Sequence, residues 1–233
     1  MTILKIPYDL KVSFHKRLNR FVGEVILPSG KIEKVHIHDT ARLKELLFEG
    51  NQILIKRANN LKNRKTRWDL LCAKYKDYWV FINSAYHSRI AKEIILNSDI
   101  GPFKDVEKVI PEVGHGGSRL DFLVKTKEKE IWVEVKGCTL AKGEFALFPD
   151  APTLRGRRHL LKLIELKESG KEVALIFLVF HRDVKFVSPN RETDLEFSFL
   201  LEKAYRVGVR IFSYKIEYVS GNLIYRGRLG LRF

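Results

Sequence analysis

Arg119-Leu120-Asp121-Phe122-Leu123-Val124 and Ile131-Trp132-Val133-Glu134-Val135-Lys136-Gly137 are two apolar-rich runs separated by the polar stretch Lys125 to Glu130. The pattern predicts a β-hairpin. Side chains alternate along a strand, so Glu134 and Lys136 share one face while Val133 and Val135 point into a core. Pairing symmetric about the turn sets Asp121 opposite Glu134, with Cβ atoms roughly 4.5–5.5 Å apart. Two carboxylates that close repel unless one is protonated or a cation lies between them. Mg²⁺ or Mn²⁺ suits the gap, being a hard cation that prefers oxygen and keeps waters for chemistry. Lys136 on the same face is placed to orient a water and to stabilise charge on an attacked phosphate. Asp121 and Glu134 as metal ligands with Lys136 as catalytic group suit phosphodiester hydrolysis. An exposed hairpin face carrying a Glu/Lys pair is the alternative.

Outward from the hairpin, Ser84 to Asn97 has Ile90, Ile94 and Ile95 on a helical period, with Ser84 as the expected N-cap. Glu93 is the one acid in that helix and the candidate auxiliary catalytic carboxylate, a solvated rim position being the alternative. A strand at Glu107 to Val113 precedes the hairpin. Downstream come a helix at Thr153 to Glu168, a fully apolar strand at Val173 to Phe180, a helix at Asp194 to Val207 and a strand at Val209 to Tyr218. The order αβββαβαβ predicts an α/β (α+β) domain with a mixed sheet over residues 83–233. Arg155, His159 and Lys162 line one face of the first of those two helices, placing Arg155 and His159 as phosphate contacts. Arg119, beside Asp121, is a further candidate.

Residues 1–82 read differently. Strands at Leu10 to Phe14, Arg20 to Leu27, Lys31 to His38, Gln52 to Arg57, Thr66 to Ala73 and Trp79 to Ile82, with one short helix at Leu43 to Phe48, suit a small β-barrel, the OB-fold being a common one. This segment carries 17 Lys and Arg against 8 Asp and Glu, in a chain of net charge +15. Such an excess favours a polyanionic partner. Arg57, Lys62, Arg64, Lys65 and Arg67 form an acid-free run followed by Trp68, Tyr75, Tyr78 and Trp79, which suits a single-strand groove or a phosphate-tracking loop; Arg17, Arg20 and Arg42 extend it, and a solvated loop is the alternative. No segment reads as a major-groove recognition helix, so little sequence specificity is expected. Cys72 and Cys138 form no CxxC pair and read as core residues. The longest apolar run is too short to span a bilayer, so a cytoplasmic protein without a membrane partner is expected. A homo-oligomer is left open, and RNA is a weaker alternative to DNA.

The chain resembles the sugar fermentation stimulation protein family, SfsA, over nearly its whole length. The matching segments are Ser118 to Leu123, Val133-Glu134-Val135-Lys136 with Thr139-Leu140, Ala146 to Thr153 with Arg155-Gly156 and His159-Leu160, His36 to Leu43, Arg64-Lys65-Thr66 and Trp79 to Asn83. The resemblance implies an N-terminal OB-fold, a C-terminal PD-(D/E)xK nuclease-like domain, DNA binding (double- or single-stranded) and a regulatory link to sugar use. Asp39 and Ala41 replace the family's usual Asn and Gly, and Ser84 to His87 lacks its usual character there. The resulting expectation is a largely sequence-nonspecific DNA-binding protein with a Mg²⁺- or Mn²⁺-dependent nuclease site. A non-enzymatic regulator using the second domain as scaffold is the competing reading.

Overall fold

A computed structural model describes residues 1–59 and 64–233. Lys62, one of the expected nucleic-acid contacts, lies outside them. The chain begins with β1 (Thr2–Lys5), then β2 (Leu10–Arg17), β3 (Val22–Ile26), β4 (Ile32–His36), β5 (Gln52–Arg57), β6 (Trp68–Tyr75) and β7 (Tyr78–Phe81). Strands β4-β3-β2-β5-β6 are neighbours in that order, and β4 also pairs with β6, which closes a five-stranded barrel. This is the OB domain. Its interior takes the alternating apolar side chains of each strand, among them Phe14, Val25, Val35 and Ile53.

The short helix expected at Leu43 to Phe48 does not form. Leu43 has φ 51°, a left-handed conformation from which a right-handed helix cannot start. A single turn results, with Leu46 and Leu47 N–H groups bonded to the Leu43 carbonyl. Leu43, Leu46 and Leu47 are buried there. They are needed as packing and carry no helical periodicity beyond one turn.

The second half continues with α1 (His87–Leu96), β8 (Val106–His115), β9 (Ser118–Thr126), β10 (Glu130–Cys138), β11 (Leu140–Lys142), β12 (Phe145–Phe148), α2 (Leu154–Glu168), β13 (Glu172–Val179), β14 (Phe186–Pro189), α3 (Leu195–Arg206), β15 (Arg210–Val219), β16 (Asn222–Arg228) and β17 (Gly230–Leu231). The mixed sheet runs β15-β13-β10-β9-β8, with parallel β10–β13 and β13–β15 pairs and antiparallel hairpins at β8–β9–β10. Strand β13 is apolar on both faces because both are covered. Ala174, Ile176 and Leu178 join the cluster that holds α1 and the barrel interior, while Val173, Leu175 and Phe177 join the one that holds α2 and α3.

The two halves are not separate sheets. Strand β7 pairs with β6 on one side and with β15 on the other, through Trp79 and Tyr218. Strand β1 leaves the barrel and pairs with β16, so the expected unit 1–82 has an exception at its first strand. Tyr78 and His181 meet at the joint, with Tyr78 Oη 2.9 Å from His181 Nδ1 and His181 Nε2 2.8 Å from the Thr139 carbonyl oxygen.

Helix caps place α2. Thr153 caps it by accepting from the Gly156 amide, and Asp194 caps α3 by accepting from the Phe197 amide at 2.9 Å. Asp194 also accepts from the Thr153 amide at 2.8 Å and from Arg157 Nε at 3.0 Å while 2% exposed, so one carboxylate ties both helix starts together. Helix α1 begins one turn later than expected, after a short 3-10 turn at Ser84–Tyr86 capped by Asn83. Replacing Asp194 with Ala should lower the unfolding free energy by about 3 kcal/mol in urea titration, since it leaves the Thr153 and Phe197 amides without an acceptor and leaves Arg157 with Glu196 alone as its acidic partner. A loss below about 0.5 kcal/mol would show that the helix starts are held by packing alone.

Candidate active site

The β9–β10 hairpin has the register that turn symmetry implies: Glu130 pairs Lys125, Ile131 pairs Val124, Trp132 pairs Leu123 and Val133 pairs Phe122. The ladder stops there, one step before Glu134 and Asp121. The next free amide, Val135 N–H, is taken by Asp121 Oδ2 at 2.7 Å instead of by a strand carbonyl. The strands part at the point where the two carboxylates stand. On β8, opposite, Glu112 has φ 54°, which marks the same local distortion.

Glu134 and Lys136 lie on the face of β10 covered by α2, with Val133 and Val135 on the other. Glu134 is 2% exposed. Its Oε1 accepts from Lys136 Nζ at 2.5 Å and from His159 Nδ1, and its Oε2 is buried without a hydrogen-bond partner. His159 comes from α2, 8% exposed, with Nδ1 also 3.4 Å from Lys136 Nζ. With the proton on Nδ1 toward Glu134, Nε2 is free to accept the long 3.5 Å contact from Arg155 Nε.

The electrostatics separate the two acids. Burial, followed by the neighbouring Glu134 charge, raises the Asp121 carboxyl to about 6. Burial also opposes ionisation of Glu134, but Lys136 and His159 together outweigh it and hold its pKa below the usual value. Glu134 is therefore the ionised partner and Asp121 the strained one.

The donor set fits a hard divalent cation. Glu134 Oε2 is a buried oxygen lacking a partner, which is costly without a cation or water to meet it, and burial together with the Glu134 charge disfavours ionisation of Asp121 beside it. Among the described residues no three His, Cys, Asp or Glu side chains form a metal cage of their own. Two carboxylates with the remaining positions left to water and phosphate is how Mg²⁺ is commonly held.

Several expected residues lie elsewhere. Glu93 is exposed on α1, whose Ile90, Ala91, Ile94 and Ile95 pack on the opposite face of the sheet from Glu134. The sheet separates Glu93 from the pair it was expected to assist, and the auxiliary role is withdrawn. His159, expected as a phosphate contact, is buried against Glu134. Sequence reading missed that role, although Leu160 and Leu163 beside it signalled an inward helix face. Lys162 is also buried, paired with Glu165 at 2.8 Å. Arg155 and Arg119 are exposed near the site, Arg119 in a pair with Glu112.

On the barrel, Arg42, Arg57, Lys65 and Arg67 are exposed, and Arg64 is held in a bidentate pair by Asp69. The aromatic residues expected beside them point inward: Tyr78 is 4% exposed, and Trp68, Tyr75 and Trp79 pack on the core.

The SfsA N-terminal OB domain model matches residues 16–82, and the sugar fermentation stimulation protein RE domain model matches residues 85–222. The chain belongs to the SfsA family. A sugar fermentation stimulation protein homolog of Methanococcoides burtonii is 42% identical, over 98% of this chain and 94% of its own length. One from Thermosipho melanesiensis is 40% identical, over 100% and 99%. The solved structure of Pyrococcus furiosus SfsA in complex with Ca²⁺ superposes with a TM-score of 0.93 at 30% identity, covering 100% of both chains. Among the described residues no helix is long and apolar enough to cross a membrane.

The raised Asp121 pKa makes a signed prediction. The folded carboxyl holds its proton to about pH 6, whereas an unfolded aspartate releases it near pH 4. The native state therefore binds the extra proton between those limits, and stability falls as pH rises through the window. In EDTA, wild type should lose on the order of 2 kcal/mol from this group between about pH 4 and pH 7. Asp121→Asn keeps an acceptor for Val135 and should lack that fall, equalling or exceeding wild type at pH 7 in urea titration. A variant less stable than wild type at pH 7 would make Asp121 a structural residue.

Proposed function

We propose that the protein binds DNA with little sequence preference and hydrolyses phosphodiester bonds with Mg²⁺ or Mn²⁺ held by Asp121 and Glu134. The observation that supports this most is the state of Glu134, buried and ionised, with one oxygen held by Lys136 and His159 and the other without a partner. A purely structural salt bridge would satisfy both oxygens and would have no use for a second carboxylate at its side. The Ca²⁺ complex of the Pyrococcus furiosus relative adds support for a hard cation in this family.

A bound divalent cation supplies charge neutralisation and Lewis acidity toward the phosphate. The chain's own groups do the rest. His159 and Lys136 hold Oε1 of the Glu134 carboxylate and leave Oε2 for a cation, as outer partners of metal ligands commonly do. Lys136 swings from Glu134 to a water or a phosphate oxygen, orienting the nucleophile and stabilising developing negative charge. Arg119 and Arg155 flank the site with cations for the substrate backbone, and the exposed barrel cations Arg42, Arg57, Lys65 and Arg67 extend the attraction. The link to sugar use follows from the relatives' names and would act through DNA.

The test is plasmid and single-stranded DNA incubated with Mg²⁺ or Mn²⁺. Lys136→Met keeps stem length and apolar packing. It should retain DNA affinity and cation binding by calorimetry while losing cleavage by about two to four orders of magnitude. Persisting cleavage would leave Lys136 as a charge balancer. Wild type that cuts neither DNA with either cation would overturn the enzyme reading in favour of a DNA-binding scaffold.

A further inference from the structure

The outward face of β4 carries a row of side chains that the site chemistry does not use. Alternation turns Val35, and Ile37 just beyond the strand, into the barrel core, leaving Ile32, Lys34 and His36 outside, with Ile32 50% exposed. At one end Lys31, Lys34, Lys65 and Arg67 surround an open basin of about 370 Å³. Lys31 is engaged by Glu33 at 2.5 Å, so Lys34, Lys65 and Arg67 are the cations on offer there.

His36 follows along the strand. Its ring stacks on Phe21, with centroids 6.4 Å and planes 11° apart, and meets His38 edge-on at 4.3 Å. Asp69 fixes this step by holding His38 Nε2 at 3.1 Å and gripping Arg64. Burial, then His38 and Arg64, push the His36 pKa down, so the ring is neutral near pH 7. Phe21 is 47% exposed, and the Arg20 guanidinium lies 5.9 Å from its centroid. Arg20 in turn lines a cavity of about 150 Å³ together with Thr139, Phe148 and Gly137, the residue after Lys136. From Ile32 to His36 the row spans roughly 13 Å at the usual rise per strand residue.

The chemistry of this row is specific. One exposed phenyl ring stacked on a neutral imidazole, with cations at both ends, is too small and too charged for a protein-docking patch. Flat rings offer stacking to any base whose face is free, and flanking Lys and Arg follow the phosphates. Duplex DNA hides its base faces and gains nothing from the rings. We propose that this face of the barrel takes an unpaired DNA strand, with a base stacked at Phe21–His36 and phosphates at Lys34, Lys65, Arg67 and Arg20, and leads it to Asp121, Glu134 and Lys136. The substrates are then DNA ends or flaps with a single-stranded tract. The delivery half rests on the nuclease reading above; the binding half stands without it.

The experiment is fluorescence anisotropy with the full chain in EDTA, using labelled oligothymidylate and duplex DNA, each about 20 nucleotides long, a span that covers one OB-fold site. Wild type should favour oligothymidylate. Phe21→Ala should weaken oligothymidylate binding roughly tenfold, the usual scale for one lost stacking partner, and leave duplex binding unchanged. Phe21→Trp should restore the strand affinity. Phe199→Ala, removing another exposed ring (56% exposed) on α3, should alter neither. Equal losses on both DNAs, no loss on either, or a wild type that favours duplex would overturn the proposal. Because EDTA removes cleavage from the readout, a protein that binds through Phe21 yet never cuts would contradict the nuclease reading and leave the strand-binding site standing.

Discussion

The constraint on which the candidate site depends is one buried carboxylate with one oxygen free. Glu134 is nearly inaccessible to solvent, so its charge persists only because Lys136 and His159 share Oε1. That requirement brings α2 down onto β10, and the Thr153–Asp194 linkage holds the start of α2 where His159 can reach. It also explains the parting of β9 and β10. Had their ladder continued, Val135 N–H would have bonded a β9 carbonyl, and Asp121 would have lost the amide that holds its carboxylate in the gap. The left-over oxygen of Glu134 and the raised pKa of Asp121 stand side by side in that gap.

The barrel is tied to this site by backbone as well as side chains. Strand β7 belongs to both sheets, and β1 is hydrogen-bonded to β16. The Tyr78–His181–Thr139 chain crosses the joint and ends three residues from Lys136. A cation-bearing barrel held this way presents its β4 face at a set angle to the Asp121–Glu134 gap, which a flexible linker would not do. On the proposed reading, strand binding by one half and hydrolysis by the other would act on the same strand.

What the sequence made legible was what short-range physics controls. Alternation gave the faces of β10, turn symmetry gave the β9–β10 register, and helical periods with Thr153 and Asp194 gave α2 and α3. Strands β11, β12 and β14 were missed because they are three or four residues long and belong to a small four-stranded sheet, so periodicity has too few residues to register. Glu93 was misassigned because sequence cannot say which face of a sheet a helix will cover. His159 and the Phe21–His36 stack depend on contacts between elements. The histidine meets a strand 25 residues earlier, and the phenyl ring meets a neighbouring strand, so neither contact leaves a periodic trace. The turn at Leu43 failed as a helix for a backbone reason, a left-handed residue, that its leucines conceal.

On the proposed reading a divalent cation completes the charge between Asp121 and Glu134. Anomalous diffraction from crystals soaked in Mn²⁺ tests it most directly. A peak is expected about 2 Å from Glu134 Oε2 and from an Asp121 oxygen, with Lys136 Nζ drawn away from Glu134. A well-diffracting soaked crystal with no peak there, and with Lys136 still bonded to Glu134, would contradict it.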